Sequence, residues 1–154
     1  MTTVRVEGIV RRPPAKVFQF VATNHFDNHR KWDPDVLEMR QTSPGPVAVG
    51  TTATVVRRQG RRRVEGTVTV TAYEPDRVAA WDVRFGPFTL RQRADFVGEQ
   101  KGRATRLKLT VDTRATGPVR LAVPFLRPRF RATMTRSLDT IRTLLEGQGS
   151  AAQR

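Results

Sequence analysis

Few residues in this chain can do chemistry. It has two histidines, one tyrosine, 14 carboxylates and no cysteine. The lack of cysteine excludes disulfides, thiolate metal sites and a cysteine nucleophile, and is compatible with the cytoplasm. His25 and His29 are four positions apart, with Asp27 between them and Asp33 nearby. On a helix, imidazoles at that spacing share a face, as metal ligands do. The surrounding stretch is polar, without apolar framing or the glutamate of an H-E-x-x-H motif, so no metal is expected and the pair reads as part of a solvated loop or cap. Any histidine-based acid–base or triad chemistry has to come from these two. Asp33 and Asp35 flank Pro34, with nothing in the sequence that converges them on a pocket. Tyr73 ends a strand on the phase opposite its inner face, which argues against a pocket acid. There is no glycine-rich phosphate loop and no nucleophile elbow. The sequence shows no catalytic constellation, and no cofactor is expected.

The charge is the unusual quantity. Lysine and arginine total 28, a net of +14 with a pI near 11.7, and only four of the 28 are lysine. Such a surface attracts polyanions, either anionic lipid or nucleic acid, at low salt. Arginines occur in nearly every segment, which reads as a compositional bias over a solvated surface. The one tight cluster, Arg57, Arg58, Arg61, Arg62 and Arg63, surrounds Gly60 and reads as a hairpin tip. No aromatic side chain is interleaved there to stack bases, as single-strand binders usually require.

The elements that must position any site follow from periodicity. Phe130, Met134, Leu138, Ile141 and Leu145 recur at steps of four, four, three and four, the stripe of a core-facing amphipathic helix. Ser137 falls inside that stripe, which suits a helix lining a cavity. The helix is expected from near Pro128, after a short or kinked helical piece, with Gly147 as its stop. Upstream, Val4, Val6 and Val10 alternate with Arg5 and Glu7 as a half-buried strand. Pro13 and Pro14 open a short helix that presents Val17, Phe18 and Val21, and a second short helix is expected around 27–31, ending before Pro34. Residues 42–50 form a connection. From Gly50 the period is two, with strands over 51–58, 63–73, 78–85, 88–97 and about 104–113. Short turns between consecutive strands imply an antiparallel meander. The expected order is strand, two short helices, five antiparallel strands, long helix: an α+β protein. At 154 residues it is one domain, 1–146, with a flexible tail over 147–154. No apolar run is long enough to span a membrane, and the start does not read as a secretory signal. The oligomeric state, monomer or dimer, stays open.

Taken in order, the chain resembles the START-like superfamily that includes polyketide cyclase/dehydrase-like and birch-pollen-allergen-like proteins. The resemblance rests on the opening strand running through Pro13 and Pro14 into AKVFQFVATNHFDNHRKWDPDV. Val49-Gly50-Thr51, Tyr73-Glu74-Pro75, Ala104-Thr105-Arg106-Leu107 and the basic terminal helix complete it, over roughly residues 4–146. It implies a helix-grip fold, a curved antiparallel sheet wrapped around the C-terminal helix with an apolar cavity between them. It also implies a small hydrophobic ligand, lipid- or polyketide-like; only some members are enzymes, and no shared catalytic set exists to carry over.

On the faces assigned above, Trp81, Phe85, Phe88, Leu90 and Leu109 line the sheet side of such a cavity, and Phe130, Met134 and Ser137 the helix side. Trp32 is expected at the mouth, and Gln92 and Thr113 are the polar anchors that orient a ligand. Three functions compete: ligand binding in the cavity without turnover, a cyclase-, aromatase- or dehydratase-type reaction in the same cavity, and polyanion binding through the arginine hairpin.

Overall fold

The computed structural model describes residues 2–152. Strand β1 (Thr2–Val10) is followed by α1 (Pro14–Phe18), a π-helical turn (Gln19–Thr23) and α2 (His25–Trp32). Six strands follow: β2 (Val36–Gln41), β3 (Thr52–Gln59), β4 (Arg62–Glu74), β5 (Val78–Phe85), β6 (Phe88–Glu99) and β7 (Ala104–Ala115). Two 3-10 turns, Pro118–Leu121 and Val123–Leu126, lead into the long helix α3 (Arg127–Ala152). All strands belong to one antiparallel sheet in the order β1-β7-β6-β5-β4-β3-β2. The curved sheet holds α3 against one face, and α1 and α2 connect its two edge strands. This is the expected helix-grip arrangement.

The core lies between sheet and helix. Val55, Val68, Val70, Trp81, Val83 and Leu107 are buried on the sheet side, and Leu138, Ile141 and Leu145 on α3. Alternation along each strand sends these residues inward and their neighbours outward. The far part of α3 is fastened to the first strand and its exit. Arg142 Nε donates to the Ile9 carbonyl at 3.0 Å, and Arg12 donates to the Leu145 and Glu146 carbonyls at 3.1 and 2.7 Å.

Three expectations need correction. The helices are followed by six strands rather than five, because Val36–Gln41 adds an edge strand, β2, paired only with β3 and irregular between Val36 and Glu38. Gly147 does not stop α3, which continues to Ala152. Gly147 is absent from the positive-φ residues, and a helical glycine costs only about 1 kcal/mol relative to alanine. Residues 153 and 154 of the expected tail lie outside the described residues. Finally, a register shift between Val70 and Ala72 reverses the phase of β4 near its end. Tyr73 therefore turns to the inner side, where its ring meets Phe18 edge-on at 5.2 Å and its hydroxyl pairs with that of Thr23 at 2.9 Å.

Candidate functional site

A cavity of about 510 Å³ opens between the sheet and α3. All eleven positions expected from the strand and helix phases are on its wall: Trp32, Trp81, Phe85, Phe88, Leu90, Gln92, Leu109, Thr113, Phe130, Met134 and Ser137. Their roles differ. Ser137 is a structural tie, its hydroxyl donating to the Trp32 carbonyl at 3.1 Å. That bond joins α3 to the end of α2 and leaves Trp32 buried in an aromatic row with Phe20 at 5.5 Å and His29 at 5.3 Å. Gln92 is paired in register with Trp81 and shares its face, and both line the cavity. Thr113 is almost wholly buried, and its hydroxyl has no hydrogen-bond partner in the protein.

The sequence reading missed the polar end of the wall. His25 and His29 are buried, not solvated, and both line the cavity. The end of a helix leaves its last carbonyls without intrahelical partners, and here two are satisfied by side chains of α2. Asn28 Nδ2 donates to the Phe20 carbonyl, and His25 Nδ1 bonds the Val21 carbonyl, each at 2.9 Å. A carbonyl can only accept, so His25 Nδ1 carries the hydrogen and the neutral ring keeps a lone pair on Nε2. The His25 ring stacks on Trp81 at 4.2 Å and lies 4.6 Å from His29. His29 Nδ1 is buried without a partner.

Burial pushes the His29 pKa down to about 3, helped by the Arg57 guanidinium. His25 is likewise held well below its ordinary value, first by burial and then by His29, with the bond to Val21 acting the other way. His29 Nε2 is 3.9 Å from Asp33 Oδ2, an ion pair only if the ring were charged. Arg57 Nη1 is closer to the same oxygen, at 3.2 Å, and offsets the carboxylate's pull on the ring. Both histidines are therefore neutral at neutral pH. Arg57, expected at the hairpin surface, instead turns inward to this carboxylate; Arg58, Arg61, Arg62 and Arg63 are exposed. Among the described residues no group of three or more histidines and carboxylates gathers as metal ligands. No described helix is long and apolar enough to cross a membrane.

The fold and the site together define a helix-grip protein with an internal cavity, apolar over most of its wall and polar where α2 meets the sheet. A family model for "polyketide cyclase / dehydrase and lipid transport" matches residues 1–146, and the chain belongs to that family. Among solved structures, Ara h 8.0201 is similar at 12% identity with a TM-score of 0.73, over 95% of this chain and 98% of that one. TTHA0849 from Thermus thermophilus is similar at 17% identity and a TM-score of 0.70, over 99% and 100% of the two chains. The di-domain ARO/CYC BexL from the BE-7585A biosynthetic pathway is similar at 13% identity and a TM-score of 0.72. This chain is covered over 95% there but spans only 47% of that protein. At such identities the likeness is one of fold. No curated protein matches this chain.

Proposed function

We propose that the protein binds a small, mainly apolar molecule carrying a hydrogen-bonding group such as a carbonyl or hydroxyl, and holds it in the cavity without turnover. The observation that carries this reading is the cavity itself, whose wall includes His29 and Thr113, two residues that each keep a buried polar atom, Nδ1 and Oγ1, without a partner in the protein. A buried polar group left unsatisfied costs about 1–3 kcal/mol, which a ligand supplying the partner recovers. A volume of about 510 Å³ is within the range of small-molecule sites. Family membership, in a group named for both cyclases and lipid transport, supports the apolar class of ligand.

Binding is favoured over catalysis by the same histidines. A general base works best with a pKa near the operating pH, and a ring held at about 3 is a poor proton acceptor. Two neutral imidazoles are instead good hydrogen-bonding groups. A cyclase- or dehydratase-type reaction is the second reading, favoured by the free lone pair on His25 Nε2, and His25→Gln would then remove turnover of a poly-β-ketone mimic.

The test is a titration with the neutral fluorophore N-phenyl-1-naphthylamine at low and high salt. Saturable binding is expected at both, weakened by about tenfold or more in Met134→Trp, where the added ring fills cavity volume. Absent binding, or binding indifferent to that substitution, would refute the reading.

A further inference from the structure

The basic character of this protein is patterned by its acids rather than by its arginines. No carboxylate occurs between Glu38 and Glu65, nor between Asp112 and Asp139, and each of these stretches carries six arginines. They are far apart in sequence, yet the fold brings them to one place. Arg58 and Gly60 of the β3–β4 hairpin tip, Leu126 of the turn before α3 and Arg129 at the start of α3 all border the cavity, and strand register puts that tip and the exit of β7 at the same end of the sheet. The carboxylates that reach this region, Asp33 and Asp35, are on one side of it, and Asp33 is already engaged by Arg57.

A second feature is found at the same end. The turns that lead into α3 expose two large apolar side chains, Leu121 at 71% and Phe125 at 83%. They are flanked by Arg120 and Arg127, both exposed. Among the described residues, neither of these arginines nor Arg61, Arg62 or Arg129 is in an ion pair.

We propose that this end of the molecule docks on an anionic lipid bilayer. Phe125 and Leu121 enter the interface, and the arginines of the hairpin tip and the α3 start lie against the headgroups. Each cation near such a surface adds to the attraction, and exposed apolar side chains add more when they leave water. A nucleic acid would match the arginines but would leave Leu121 and Phe125 without an apolar partner. A bilayer satisfies both, and it places the opening of an apolar cavity against an apolar phase. The inference does not depend on what the cavity holds.

Co-sedimentation with phosphatidylcholine vesicles, with and without phosphatidylserine, tests it. Binding is expected only with phosphatidylserine and should fall as salt rises. Phe125→Ser, and separately the pair Arg61→Gln and Arg62→Gln, should each reduce partitioning by about tenfold. All three side chains are exposed, and unchanged circular dichroism would show that the fold is intact. Met134→Trp should bind vesicles normally, which separates failure of this inference from failure of the cavity reading. Equal binding to both vesicle types, or no binding, would overturn the proposal. So would an oligonucleotide bound more tightly than the vesicles and unaffected by Phe125→Ser, which would make the surface a nucleic-acid site.

Discussion

Acidification from about pH 7 to about pH 4.5 is expected to lower the melting temperature by about 10 °C, and the buried histidines are the reason. In the unfolded chain each histidine titrates near 6.5, whereas in the folded protein His29 is lowered to about 3 and His25 in the same direction. Between those values the unfolded state binds more protons, so stability is complete above the unfolded pKa and is lost as pH falls towards the folded one. Each unit of separation corresponds to about 1.4 kcal/mol, so His29 alone accounts for about 3 kcal/mol by pH 4.5. That is a large share of the roughly 5–15 kcal/mol that holds a domain folded. Asp33, at 3.9 Å, is the charged group that would favour protonation of His29, and Arg57 offsets it. Thermal melts of the protein and of His29→Gln at both pH values would measure this. The variant should lose markedly less on acidification; an equal loss in both would place the acid sensitivity elsewhere. Probe binding should weaken over the same window, because a charged imidazole would then face the cavity.

Gly66→Ala is expected to destabilise the protein by about 3 kcal/mol and to disturb the cavity at the same time. Gly66 is in the interior of β4, directly under Phe85, and its backbone is not in the left-handed region. The constraint is space. A Cβ there would meet the Arg84 carbonyl oxygen and would come within 2.6 Å of the Phe85 ring. The carbonyl is held in the sheet, so the ring must move, and Phe85 is part of the cavity wall. Gly8→Ala is the informative control. Its Cβ would meet the end of the Arg142 side chain, a flexible group that can shift at the cost of its bond to Ile9, and Leu138 Cδ2 at 3.2 Å. Urea unfolding should show a much smaller loss for Gly8→Ala, and only Gly66→Ala should alter the affinity for N-phenyl-1-naphthylamine. Comparable effects of the two substitutions would mean that the contact with Phe85 is unimportant.

The sheet side of the cavity was legible in the sequence because a strand has only two faces. Once Trp81 and Phe85 are placed inward, pairing in register brings Gln92, Leu90 and Phe88 to the same side, and Leu109 and Thr113 follow on β7. The helix side was legible from the step between Phe130, Met134 and Ser137. The histidines were not, because the inward face of α2 is built from polar and aromatic residues: His25, Asn28, His29 and Trp32. A hydrophobic scale does not register such a face, although positions 25, 28, 29 and 32 have helical spacing and continue from Val21. That recurrence, read without regard to polarity, was the available signal. The fate of Tyr73 was hidden for a different reason, since one irregularity in β4 reverses every later position and leaves no mark in the residue types. The arginines are too widespread to mark a place in the fold, whereas the two long stretches without a carboxylate do.

The pairing of β1 with β7 also dictates an order of assembly. Thr2 is opposite Thr113 and Val10 opposite Thr105, so β1 leaves the ribosome well before β7, its one sheet neighbour among the described strands, which is made about a hundred residues later. At roughly 5–20 residues per second, that strand waits for several seconds while β2 to β6 can already pair with one another. The cavity cannot close before then, because α3, made after β7, is tied to β1 through Arg142 and Arg12. The edge strand β1 and the helix α3 thus join around a meander that can already be in place.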